Sequence, residues 1–156
     1  MKVWIFVLCI LISFYSEARE KTRPHSIGGD YLLELTTGVT DEDGELVYDF
    51  GVDVEHFLDS EGHHYALGVT LEFTEIQDQS FYYFAGLIST YYYHYKFFVN
   101  AGVLTDFQGA NEFKARIGLG KEFLLSHNYL LVPTLALEYL RGDVHPGFIL
   151  GLAHEF

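Results

Sequence analysis

Charge recurs in this 156-residue chain at a spacing that chemistry can use. Glu34, Asp49, Asp53, Glu55, Glu72, Glu122, Glu138 and Glu155 fall on the polar side of stretches whose other side is apolar at every second residue. Lys96, Lys114 and Arg116 fall on the same side. Eight acids against three bases on one face allow two kinds of chemistry. Opposite charges that meet form an ion-pair network, which must be well paired because an unpaired buried carboxylate is costly. Acids left over share a proton or take up a cation, which is the start of an ion or proton path. Other reactive types offer less. Eight histidines include no His-x-His, and His63-His64 adjoin at a turn, so no dedicated metal site and no cofactor is expected. Arg141-Gly142-Asp143 reads as a hairpin turn.

The elements that must position these charges are strands. In Tyr31 to Val39 the odd residues are apolar or Thr, and Glu34, Thr36 and Gly38 lie between them. Leu46 to Leu58 puts Leu46, Tyr48, Phe50, Val52, Val54, His56 and Leu58 against Val47, Asp49, Gly51, Asp53, Glu55 and Phe57. His64 to Thr74 repeats the pattern, with Glu72 on the polar side. In Phe81 to Tyr91 both faces are apolar, and the favoured phase has Tyr83, Ala85 and Leu87 outward with Gly86 inward. The Tyr91 to Tyr95 run must hold the next reversal, without Gly or Pro. Strands then follow over Tyr95 to Leu104, Glu112 to Phe123, Tyr129 to Tyr139 and Gly147 to Phe156. Turns are expected at Thr40 to Gly44, Asp59 to Gly62, Glu75 to Ser80, Thr105 to Asn111, Leu124 to Asn128 and Arg141 to Pro146. Pro133 predicts a local irregularity, because it cannot donate to the ladder. Eight strands of roughly 9–13 residues result, long enough to cross a bilayer when tilted.

The chain begins with Lys2, an apolar run from Val3 to Phe14 and the small-x-small triplet Ser16-Glu17-Ala18, which read as a secretory signal peptide over residues 1–18. Residues 19–29 form a polar periplasmic lead, and residues 30–156 form one domain. The only cysteine, Cys9, leaves with the signal, so the mature chain carries no thiol. A net charge of -13 argues against nucleic acid, whose phosphates call for a basic footprint.

The aromatics decide between a membrane and water. They sit at strand ends on the apolar face: Tyr65 and Phe73, Phe113 and Phe123, Tyr129 and Tyr139, Phe148 and Phe156. Each pair brackets a span of roughly 21–26 Å, close to the ~25 Å apolar band between two aromatic girdles. A soluble barrel inverts this, with the apolar face inside. The expected fold is therefore all-β, an eight-stranded antiparallel up-and-down transmembrane β-barrel. The alternative is a secreted soluble β-barrel or sandwich binding protein with the aromatic face as its core. Inside the barrel, Lys114 and Arg116 are expected level with Glu138 on the neighbouring strand and with Asp49 and Glu72 across the lumen. Glu34 and Asp53 are expected on adjacent strands near mid-depth, with no base at that level.

The signal peptide, the eight hairpin-linked amphipathic strands and the terminal Phe156 resemble the small bacterial outer-membrane barrels of the OmpA-barrel and OmpX type. The resemblance covers the mature chain and implies cleavage near Ala18, residence in the outer membrane, and contact with its lipid and lipopolysaccharide. It also implies insertion by the barrel-assembly machinery, which reads the last strand and makes Phe156 the assembly signal. The chain departs from that family in its very short outer loops, which weakens adhesion or receptor roles. Lipid A deacylases and acyltransferases share the fold, and the deacylase-like His-x-Ser does not occur here. The reading is a monomeric, non-enzymatic barrel with a structural or narrow cation-pore role, and a lipid A-modifying enzyme is the catalytic alternative. The charge network of Glu34, Asp49, Asp53, Glu55, Glu72, Lys114, Arg116 and Glu138 is its candidate site.

Overall fold

The structure is a computed structural model that describes residues 30–42, 44–58, 64–76, 80–93, 96–108, 112–126 and 128–156. The expected signal peptide with Cys9, the 19–29 lead and His63 lie outside these residues.

Nine strand segments run in chain order: β1 (Tyr31–Glu42), β2 (Glu45–Phe57), β3 (Tyr65–Ile76), β4 (Ser80–Tyr92), β5 (Phe97–Asp106), β6 (Phe113–Lys121), β7 (Phe123–Ser126), β8 (Tyr129–Leu140) and β9 (Asp143–Glu155). Each pairs antiparallel with its neighbour, and β9 pairs back onto β1, so the sheet closes. β6 and β7 both pair with β8 and are two halves of one barrel strand, which makes the barrel eight-stranded. Closure satisfies every strand edge, the one way a sheet can sit in hydrocarbon.

Alternation decides the two faces. On the outward phase, apolar side chains at mid-strand are bare: Leu35 is 55% exposed, Leu87 61% and Ile117 62%. A continuous belt of such residues is incompatible with water and fits lipid. In β4, Tyr83 and Leu87 point outward while Phe84 and Ile88 are buried, the phase expected from Gly86.

The structure corrects several strand ends. Pairing runs to Ile76↔Ser80 where a Glu75–Ser80 loop was expected, and β5 continues to Asp106. The cause is register: once a hairpin is aligned, each further pair adds bonds until the chain must cross. β7 occupies Phe123–Ser126, where a turn was expected, with a bulge between Leu124 and Ser126 absorbing the irregular phase. β9 starts at Asp143, not Gly147. Arg141 (φ 55°) and Gly142 (φ 101°) form a two-residue turn, which brings Leu140 opposite Asp143 at once. Pro146 is tolerated because β1 pairs with β9 only as far as Gly147, so its missing N–H faces no partner strand on that side.

The irregularity expected at Pro133 falls on its partner. β8 keeps its register with β9 through Pro133↔Leu150. The ladder to β6 stops at Gly120↔Thr134 and resumes at Phe123↔Leu131, leaving Lys121 and Glu122 unladdered opposite Pro133. The reversal after Tyr92 is closed by the Tyr93 N–H donating to the Phe97 carbonyl at 2.6 Å, with Lys96 at φ 63°.

Candidate functional site

The lumen is layered. At the end where both termini of the barrel lie, Leu32, Phe57, Ala66, Tyr92, Phe98, Leu130, Val132 and Ala153 pack into one apolar cluster. Phe57 and Phe98 both pack against Tyr92 with tilted rings, at 5.6 and 5.7 Å between ring centroids. At the opposite end Phe84, Leu104 and Leu140 pack together with Tyr82 against them. Most of the buried charged side chains lie between these layers, while Glu155 and Asp106 are buried level with Leu32 and Phe84.

In the outer half the structure brings five of the expected residues together. The Lys114 ammonium lies 2.8 Å from Glu72 Oε1, 2.7 Å from Glu138 Oε2 and 3.7 Å from Asp49 Oδ1. Arg116 Nη1 lies 3.5 Å from Glu72 Oε2 and 3.7 Å from Glu138 Oε1. The Thr40 hydroxyl is 3.2 Å from Asp49 Oδ2 and 3.4 Å from Glu138 Oε2, so it donates to either. All are buried. Glu72 accepts from both bases and is the hub. Burial raises the strength of each pair and equally the cost of losing one member.

Ligand atoms of Asp49, Glu72 and Glu138 lie within 4.8 Å of one another, a spacing that suits a metal ion. The Lys114 ammonium stands among them and supplies the positive charge itself.

In the inner half the acids predominate. Glu34 and Asp53 are direct register partners, and both are buried. The Glu34 carboxylate lies over Gly151, in space that any side chain there would fill. Asp53, Glu55 and Glu122 are within electrostatic reach of Glu34. Arg116, a member of the outer network, also acts electrostatically on Asp53 and Glu34. Of the remaining inward charges, Glu122 lies against the Tyr92 hydroxyl with Lys96 in reach, and Glu155 is buried at the end that carries the termini.

Glycines make the room for large neighbours. Phe98 occupies the space over Gly120, and Asn100 that over Gly118. Pairing large against small side chains fills a narrow lumen without voids.

Two sets of residues carry weight that the sequence reading did not assign. The apolar layers come from inward positions at strand ends, and their signal is the apolar residue that ends an otherwise polar phase, as Phe57 does after Glu55. The second is Lys121, which shares the outward phase with Ile117 and Leu119. Its ammonium lies 5.3 Å from the Phe97 ring centre and 4.8 Å from that of Phe123.

At the seam that closes the barrel, the Tyr31 and Phe156 backbones exchange hydrogen bonds of 3.2 and 3.0 Å. Their rings stack at 5.8 Å, and His154 and Tyr129 continue the row along the rim.

No family model and no curated protein matches the sequence. Solved structures do match the fold. A transmembrane β-barrel designed de novo aligns with a TM-score of 0.59 and 14% identity, over 88% of this chain and all of the design. The N-terminal β-barrel domain of OprF from Pseudomonas aeruginosa aligns at 0.58 and 16% identity, over 82% of this chain and 98% of that one. Neisserial surface protein A aligns at 0.56 and 8% identity, over 81% and 96%.

Proposed function

We propose, on the premise that the chain has the fold of the small eight-stranded outer-membrane barrels, that it is a sealed structural barrel of the bacterial outer membrane. The observation that carries this reading is the layering of the lumen. A buried ion-pair network lies between apolar clusters, and an apolar constriction excludes water and ions by dewetting. The likeness to a designed barrel supports the same view, since the fold imposes no activity of its own. On this reading the protein is a monomer in contact with lipid and lipopolysaccharide. It is inserted by the barrel-assembly machinery through the strand ending in Phe156.

Planar-bilayer recording tests the seal: no channel events are expected, and steady conductance would overturn it. Sucrose-gradient fractionation with gel mobility of heated and unheated protein tests location. Soluble recovery without a heat-dependent shift would end the membrane reading and favour the secreted alternative.

A narrow cation path is the second reading, favoured by the acid excess around Glu34, Asp53 and Glu55. It requires small, cation-selective events that Asp53→Asn diminishes. Lipid A modification is the catalytic alternative, and a change in lipid A acyl content on deleting the protein would establish it.

A further inference from the structure

The inner half of the lumen holds more negative charge than its neighbours neutralise. In the outer half Lys114 and Arg116 are taken up by Glu72, Glu138 and Asp49. Glu34, Asp53 and Glu55 remain on the inward phase of β1 and β2, all buried. Arg116 acts on these three through space, from within the outer network.

An excess of acid does not by itself make a site. The sign of a ligand is a group of buried oxygens left without partners. Asp53 is 4% exposed and Glu55 3%, and neither Asp53 Oδ1 nor Glu55 Oε2 accepts a hydrogen bond. Thr90, 2% exposed, stands close enough to Glu55 to act on its carboxylate, yet its hydroxyl completes no hydrogen bond. Thr70 lies opposite Asp53 in the β2–β3 ladder and acts on that carboxylate in the same way. Polar atoms buried like this are costly unless something meets them.

The donors select the kind of ion. They are carboxylate and hydroxyl oxygens, which suit a hard cation. Asp53 and Glu55 are two residues apart on one face of β2, so their Cα atoms are about 7 Å apart and their carboxylates can share one ion. Charge is selected by convergence. Among the described residues, three acids bring ligand atoms within 4.8 Å of one another only at Asp49, Glu72 and Glu138. Glu34, Asp53 and Glu55 lack the clustered carboxylates that suit a divalent ion, and two carboxylates with a hydroxyl suit a monovalent one.

We propose that the inner lumen binds one alkali-metal cation, coordinated by Asp53 Oδ1, Glu55 Oε2 and the Thr90 hydroxyl, with the Glu34 carboxylate adding charge beside it. The site rests on the closed barrel and not on its seal. Steady conductance would remove the seal and leave the site, whereas loss of the sodium effect below removes the site and leaves the seal.

The test is urea unfolding of the detergent-extracted barrel at pH 8, in sodium chloride or in choline chloride of equal ionic strength. With sodium at about ten times its dissociation constant, the midpoint is expected about 0.7 M higher than in choline. Asp53→Asn and Glu55→Gln are each expected to abolish the difference, whatever they do to the midpoint itself. Glu112→Gln, at the outer rim, is expected to keep it. Equal midpoints of wild type in the two salts would overturn the proposal and leave these acids to protons. A sodium effect undiminished in both lumen variants, or lost equally in Glu112→Gln, would also overturn it. The heat-dependent gel shift of each variant shows separately that the barrel has formed.

Discussion

Replacing Lys114 by Met tests the energetics of the outer network most directly. Met fills nearly the same volume, so the change removes charge with little loss of packing. It leaves Asp49, Glu72 and Glu138 within 4.8 Å of one another, with Arg116 at 3.5 Å or more as the remaining cation. Removing one partner of a buried ion pair costs about 3–5 kcal/mol. That is a large share of a typical stability of about 5–15 kcal/mol. With a urea dependence of about 2 kcal/mol per molar, the unfolding midpoint should fall by about 2 M. Urea titration of the detergent-folded barrel, read by its gel mobility, measures this. The vacated carboxylates should then accept calcium, whose oxygens sit at about 2.3–2.6 Å from the ion. Calcium at ten times its dissociation constant should restore about 1.4 kcal/mol to Lys114→Met and nothing to wild type. A midpoint within 0.5 M of wild type, or a calcium response in both proteins, would refute the reasoning.

Deleting Phe156 removes the backbone exchange with Tyr31 and the ring stacked on it. A loss of about 1–3 kcal/mol from apolar burial is expected, and a larger fall in outer-membrane levels on cell fractionation. Pro133→Ala supplies the donor missing opposite Lys121. The gain of about 1 kcal/mol from a hydrogen bond is opposed by about 0.4–1 kcal/mol of added unfolded-chain entropy. Stability should hardly move, while amide 133 becomes protected in hydrogen exchange. Arg141→Ala breaks the exposed bridge to Glu112, where Arg141 Nε donates at 2.9 Å, and should cost under about 1 kcal/mol in a salt-sensitive way. The Glu112 carboxylate holds the Arg141 guanidinium above the usual arginine range. On the arginine side its contribution is lost only above that range, so urea midpoints of wild type and variant should differ equally at pH 6 and pH 8.

The faces of the barrel were legible because period two is strict: a side chain such as Glu72 cannot change face without a slip of the whole strand. For the same reason Lys114, Arg116 and Glu138 could be placed side by side once β6 and β8 were aligned. Strand ends were not legible, since they depend on where a partner stops. Nothing in Asp143 to Pro146 reads as strand until Arg141 and Gly142 adopt positive φ and force the pairing. Pro133 was legible as a defect but not as one displaced onto its partner strand. The apolar layers needed three-dimensional register, because Leu32, Phe98 and Leu130 meet only after closure.

The pairing of large side chains with glycines across the lumen sets how this chain is free to drift. Outward positions ask only for an apolar residue, so Leu, Val, Ile and Phe are interchangeable there. Inward positions come as couples: Glu34 with Gly151, Phe98 with Gly120, Asn100 with Gly118. Enlarging one member forces the other to shrink, so related chains should change these positions two at a time. About half of each strand is thus nearly unconstrained, and the rest is constrained only in pairs. A shared barrel shape can then persist at 8–16% identity, as it does across the designed barrel, OprF and the neisserial protein.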